Sequence, residues 1–244
     1  MTDRPPPGQG AASLHHPLAR ALLVLTFTTG LIDAVSFLAL GRVFIANMTG
    51  NVIFLGFGIA GAGGLTVLAP VLALGAFLLG ATAGGVLAGR FAGRHPQHMA
   101  RTLGIEVGLL LVVCVWCAVV EIREDDISAY VAIVLLALAM GVRNATVRTL
   151  AVPDLTTTVL SLTLTGLAAE SPPAGGTGRG SARRIAAVGA MLLGALAGAL
   201  MLEVGIVLPL AVAALLALAT WLVYVPAARR AMRPSPHADP HDVR

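Results

Sequence analysis

Residues 21–40 read ALLVLTFTTGLIDAVSFLAL, twenty positions that carry one charged side chain, Asp33. A helix needs about 20 mostly apolar residues to cross a bilayer, so this stretch has the length of one span. It follows Arg20, and no small-residue cleavage pattern closes it. It therefore reads as a retained membrane helix and not as a secretion signal. Asp33 lies about two-thirds along it, roughly 10 Å from its far end at 1.5 Å per residue.

The rest of the chain has the same character. Of 244 residues, 57% are hydrophobic and 11% charged, and the mean hydropathy is +0.88. A water-soluble domain carries about 25% charged residues, so composition excludes an ordinary soluble globule and leaves room for one membrane domain. Five further segments match the length of a span: Thr66–Gly89, Thr102–Val120, Ile127–Leu150, Ile185–Leu202 and Gly205–Val225. Two apolar stretches are shorter or open on polar residues, Met48–Ala62 and Leu155–Ala169.

Arginine placement decides what the short stretches do. All 16 basic residues are arginine, and they sit mostly between apolar runs. Basic loops mark the cytoplasmic side of a membrane protein. If all eight stretches cross, the loop with Arg90, Arg94 and Arg101 lies outside and the acidic loop Glu121–Asp126 inside, which inverts that bias. If the short stretches enter and leave by one face, Arg20, the Arg90–Arg101 loop, the Arg179–Arg184 loop and Arg229, Arg230 and Arg233 all become cytoplasmic. The expectation is an all-α membrane protein of the bacterial inner membrane. It has six transmembrane helices, two short re-entrant segments and both termini in the cytoplasm. Residues 1–18 form a disordered tail, 19–226 one membrane domain with halves at 19–121 and 127–226, and 227–244 a basic tail.

The halves show an internal likeness. Gly30-Leu31-Ile32-Asp33-Ala34 parallels Gly141-Val142-Arg143-Asn144-Ala145, and Asn47-Met48-Thr49-Gly50-Asn51-Val52 parallels Asp154-Leu155-Thr156-Thr157-Thr158-Val159. Three crossings per half is odd, so the halves would insert with opposite orientation, a common build for transporters. Chance recurrence of Gly and Thr in so biased a chain is the competing explanation.

Thr29-Gly30-Leu31-Ile32-Asp33-Ala34-Val35-Ser36-Phe37-Leu38, followed by Phe44-Ile45-Ala46-Asn47-Met48-Thr49-Gly50-Asn51, resembles the signature of the YoaK-type family of bacterial membrane proteins. Arg143-Asn144-Ala145 and Pro153-Asp154-Leu155-Thr156-Thr157-Thr158 are similar to that family too. The resemblance implies a polytopic membrane protein and carries no functional residue across with it.

Site candidates therefore come from the residues themselves. A carboxylate at the depth of Asp33 costs at least ~2.5 kcal/mol unless paired or hydrated. It is a proton site, an ion ligand or a solute contact, or else a tie between two helices. Arg143, next to Asn144, is its counterpart in the second half. It attracts negative charge or snorkels to the nearer face. Glu106 lies at a similar depth and pairs structurally with Arg143 or Arg148. Asn47 and Asp154 are good N-cap types. The polar sets Asn47, Thr49, Asn51 and Asp154, Thr156, Thr158 open the re-entrant stretches. Each marks a solute or ion site near the midplane, where a helix start offers free N–H groups, or an ordinary cap at a shallow turn.

Other chemistry is thinly represented. Cys114 and Cys117 share a helical face inside an apolar run, where a thiol behaves as a small hydrophobe. All six histidines lie in the tails or the Arg90–Arg101 loop, and His95 with His98 falls short of a metal-ligand set. No nucleotide, hydrolase or metalloprotease motif occurs in a suitable context. Basic charge in short loops between spans does not indicate nucleic acid. Gly80/Gly84, Gly85/Gly89, Gly104/Gly108 and Gly194/Gly198 let helices approach closely, within one bundle or between protomers of a homo-oligomer. The expectation is a carrier or channel-like protein for a small polar or anionic solute, with no cofactor or metal, and the lipid bilayer and the solute as its partners. Its rivals are a non-transporting scaffold and, third, a membrane-embedded enzyme.

Overall fold

The computed structural model describes residues 17–90, 95–150 and 160–231. These form eight helices: α1 (Pro17–Ala39), α2 (Met48–Ile59), α3 (Leu68–Arg90), α4 (His95–Val119), α5 (Ile127–Leu150), α6 (Leu160–Ala169), α7 (Ser181–Leu202) and α8 (Val207–Ala231). A single 3-10 turn, Pro172–Ala174, lies between α6 and α7, and there is no strand among the described residues. α1, α3, α4, α5 and α7 each hold a run long and apolar enough to span a bilayer, and α8 holds a shorter apolar run, Val207–Val223. The chain is an all-α membrane protein.

Each expected span falls on one of these six longer helices, with altered ends. α1 starts at Pro17 and α4 at His95, before the apolar runs begin. α8 continues to Ala231, so residues 227–231, expected to be tail, are helical. Alanine and arginine are strong helix formers, and a helix satisfies its backbone wherever the apolar run stops. Asp154, Thr156 and Thr158 lie outside the described residues.

The six long helices run in alternating senses. Near one end of the bundle, Leu18 and Leu22 of α1, Leu103 of α4 and Ala187 of α7 cluster with Val147 of α5 and Trp221 of α8. These are early residues of α1, α4 and α7, and late residues of α5 and α8. At the other end, Leu40 joins Ala69, Ala129 and Leu210, from the starts of α3, α5 and α8, and Cys117 from the end of α4.

Glycines make the tightest helix contacts. α1 packs most extensively on α7, and α3 on α5. A Cβ on Gly30 would overlap the Met191 carbonyl and stand 2.7 Å from the Ala195 nitrogen. A Cβ on Gly141 would overlap the Phe77 carbonyl and stand 2.7 Å from the Ala81 nitrogen. Gly194 faces the Phe27 carbonyl and Gly80 that of Leu138 with no room for a methyl group. Helices in lipid gain from this close approach because dispersion and backbone dipoles, not water exclusion, hold them together. Around these pairs, α4 packs on α8, α4 on α5 and α1 on α8, while α2 lies on α3 and α6 on α7. Hydroxyls inside the bundle bond to the carbonyl one turn back. Thr26 donates to Leu22 at 2.8 Å, Thr146 to Val142 at 2.8 Å and Thr220 to Leu216 at 2.8 Å, so none is an unmet polar cost in an apolar surround.

Candidate functional site

After α1 the chain reverses at Gly41 (φ +117°) and Arg42 (φ +54°) and returns against α1 through buried Val43 and Ile45. Backbone N–H groups on this leg need acceptors, because neither helix nor sheet supplies them. Asp33 does so: its Oδ1 accepts from Ile45 N and Ala46 N, each at 2.9 Å. Asn51, fully buried on α2, closes the other side. Its Oδ1 accepts from Phe44 N at 2.8 Å and its Nδ2 donates to the Phe44 carbonyl at 2.6 Å. Asn47 caps α2, accepting from Gly50 N at 3.5 Å. Phe44 stacks on Phe37 (centroids 5.1 Å apart) and on Phe54 (5.6 Å). The start of α2 is thus held at the level of Asp33, well below the end of α1.

Beside this leg lies a cavity of about 1200 Å³. Its wall draws on α1, α2, α3, α5, α6 and α7. Asp33, Asn47, Thr49 and Asn144 line it, together with Arg148, Thr149 and Ser161. Asp33 is 6% exposed, and its second oxygen takes no hydrogen bond among the described residues. Asn144 donates to the Met140 carbonyl at 2.8 Å. The remaining wall is apolar, with Phe37, Leu38, Phe44, Phe77 and Met191 prominent.

Two of the expected contacts are placed elsewhere. Asn51 is spent on the backbone of Phe44 and does not line the cavity. Arg143 turns away from it, toward α1 and α4. Its Nη2 pairs with Glu106 Oε1, and its Nη1 donates to the Leu25 carbonyl at 3.0 Å and to Thr29 Oγ1 at 2.9 Å. Glu106 is 0% and Arg143 1% exposed on the side chain. The pair anticipated for Glu106 forms, and its partner is Arg143. Arg148, the other possible partner of Glu106, is among the described residues the cation that reaches the cavity. The signal that distinguishes them is spacing. Asn144 and Arg148 stand four apart and share a helix face, whereas Arg143 and Arg148 stand five apart and do not.

Outside the cavity, Arg184 Nη1 donates to the Gly166 carbonyl at 2.7 Å and its Nη2 meets Glu170 Oε2 at 2.7 Å, tying the end of α6 to α7. Cys114 and Cys117 are both free thiols. Gly80, Gly84, Gly194 and Gly198 are occupied in packing within the chain, while Gly85, Gly89 and Gly108 have open space beside them.

Apolar helices of spanning length, a charge pair sealed among three of them and a mainly apolar cavity with a few polar groups in its wall define a multi-pass α-helical membrane protein. The chain belongs to the family described as "Protein of unknown function (DUF1275)", which matches residues 21–223. It is 29% identical over 147 residues to the UPF0700 transmembrane protein YoaK of Bacillus subtilis (strain 168). That alignment covers 60% of this chain and 64% of the relative, a little under two thirds of its length. The resemblance read from residues 29–51 is borne out. No solved structure matches the chain.

Proposed function

We propose that the chain is a carrier for a small polar or anionic solute, built from two inverted repeats. α1, α3, α4, α5, α7 and α8 cross the inner membrane, α2 and α6 re-enter, and both termini and the arginine-rich loops are cytoplasmic. The observation that carries this reading is how the cavity wall is composed. In the register that pairs Gly30 with Gly141 and Gly80 with Gly194, equivalent positions line it from both halves. They are Asp33 and Asn144, Ala34 and Ala145, Phe37 and Arg148, Phe77 and Met191, and Ala81 and Ala195. A site shared between inverted repeats near the midplane is how many alternating-access carriers are built.

The packing supports the repeat as well. Exchanging α1 with α5, α2 with α6, α3 with α7 and α4 with α8 turns every major helix contact into another that is present. Gly41 lies 3.8 Å from Asp125 when given a Cβ, so the α1–α2 turn and the acidic loop share one face, as the arginine bias expects.

Asp33 has two roles in this reading. Oδ1 fixes the re-entrant leg, and the carboxylate at the cavity wall takes a coupling proton or contacts solute. The two N–H bonds to Oδ1 also suit a purely structural Asp33, in a scaffold that moves nothing. Asp33→Asn separates them, because an amide oxygen keeps both backbone bonds and the side chain loses only its ability to ionise. Solute uptake into liposomes, with and without a pH gradient, is the measurement. Loss of uptake or of its pH dependence, with the protein folded, is expected. Flux and pH dependence both unchanged in Asp33→Asn, or no flux for any solute in wild type, would leave the scaffold reading standing.

A further inference from the structure

The cavity's two walls differ in chemistry in a way the proposed carrier function does not itself demand. On the first-half side, Phe37 and Phe44 stack in the wall beside Leu38. At the repeat-equivalent positions of the second half, Phe37 is replaced by Arg148 and Leu38 by Thr149. Arg148 is exposed to the cavity and makes no ion pair among the described residues. Arg143, by contrast, is buried and holds Glu106, Leu25 and Thr29 through its two Nη groups. One wall is an aromatic and aliphatic surface, and the other presents a guanidinium flanked by Asn144 and Thr149.

We infer that the cavity takes an amphipathic organic monoanion, a carboxylate carried on an apolar body about the size of one aromatic ring. The inference rests on the reading of the cavity as a solute site. A guanidinium offers two parallel N–H donors that match a carboxylate. A ring face offers an apolar body offset stacking on Phe37 and Phe44. A cavity of about 1200 Å³ is far larger than an inorganic anion needs and lies just above the usual size range of pockets for small organic molecules, about 300–1,000 Å³. Asp33 does not call for a cationic group on the ligand, because it is nearly buried and its Oδ1 already holds two N–H groups of the chain. A zwitterion such as phenylalanine would place its ammonium there, and it serves as the competing probe.

The test uses the full chain in lipid nanodiscs, with empty nanodiscs as background. Radiolabelled benzoate is displaced by benzoate, acetate, benzamide or phenylalanine. Benzoate is expected to compete best: acetate lacks the ring and benzamide the charge. Arg148→Gln should weaken benzoate about ten- to hundredfold, the worth of a charge-assisted contact, and leave benzamide unchanged. Arg148→Lys should restore part of the loss, and Phe37→Ala should bring benzoate down toward acetate. Acetate or phenylalanine competing as well as benzoate would overturn the inference. So would benzoate affinity indifferent to Arg148→Gln, or no saturable benzoate binding by wild type. Saturable benzoate binding without counterflow in liposomes would instead refute the carrier function and leave the ligand class standing. Counterflow of acetate with no benzoate binding would do the reverse.

Discussion

Glu106→Ala is the sharpest test of what holds this bundle together. It strands Arg143, whose side chain is 1% exposed and reaches two other helices from its own place on α5: Glu106 on α4, and Leu25 and Thr29 on α1. Arginine does not deprotonate to escape, so the buried charge loses its counter-ion outright. Breaking such a pair from one side costs about 3–5 kcal/mol. Arg143→Met strands Glu106 in the same way, and its cost is in the same range, about 3–5 kcal/mol. Replacing both, as Glu106→Ala with Arg143→Met, removes two desolvation penalties together and should sit within about 2 kcal/mol of wild type. The coupling between the two positions is then at least about 4 kcal/mol, on the order of a thousandfold in the folding equilibrium. Glu106 Oε2 and Arg143 Nε have no hydrogen-bond partner among the described residues, and a cavity of about 10 Å³ adjoins them. That is at the threshold for one water, which would soften both single losses somewhat. Reversible unfolding in mixed micelles of rising dodecyl sulfate fraction, followed by circular dichroism, gives the four free energies. Coupling below about 0.5 kcal/mol, the range of independent sites, would refute the pair as a structural tie.

Three further outcomes are expected. Gly30→Ala and Gly141→Ala should each lower stability by about 1–3 kcal/mol, as overpacking does, because a Cβ at either meets a backbone carbonyl across the helix pair. Gly75→Ala and Gly85→Ala, with open space beside them, should be close to neutral in the same unfolding assay. At the start of α5, the N–H of Ile127 and then the hydroxyl and N–H of Ser128 hold the Asp126 carboxyl below its ordinary value. A group lowered in this way stabilises the folded state fully above its unfolded pKa and loses that contribution as pH falls through the folded one. An NMR titration should therefore find the Asp126 midpoint below that of a free aspartate, and Ser128→Ala should move it upward. Finally, single cysteines placed at 63 and 125 in a Cys114→Ala, Cys117→Ala background should label from outside intact cells, and one at 176 only after permeabilisation. Outside labelling at 176 would break the six-crossing topology.

Membrane residence and the helix inventory were legible in the sequence because both depend on local composition. A run of about 20 apolar residues has nowhere to go but an apolar surround, and in that surround only a helix satisfies its own backbone. Asp33 was legible for the same reason, as a cost that nothing adjacent in sequence offsets. The N-cap at Asn47 was equally local. The likeness between residues 30–34 and 141–145 was also visible, since it needs no knowledge of packing.

What the sequence left open was which faces meet. Arg143 and Arg148 lie at similar depth on one helix, and either could have answered Glu106. Five residues turn a helix about 140° past a full circle, so one arginine must point away when the other points in. Only the seating of α5 against α1 and α4 sends Arg143 to the charge pair and leaves Arg148 in the cavity. Asn51 and Asp33 became the clasp of a backbone loop for a similar reason: their partners are main-chain N–H and carbonyl groups, which every residue carries and no sequence pattern marks. The seating itself is fixed where Gly30 meets α7 and Gly141 meets α3. A missing side chain lets two backbones touch there, and which backbone arrives is a property of the assembled bundle.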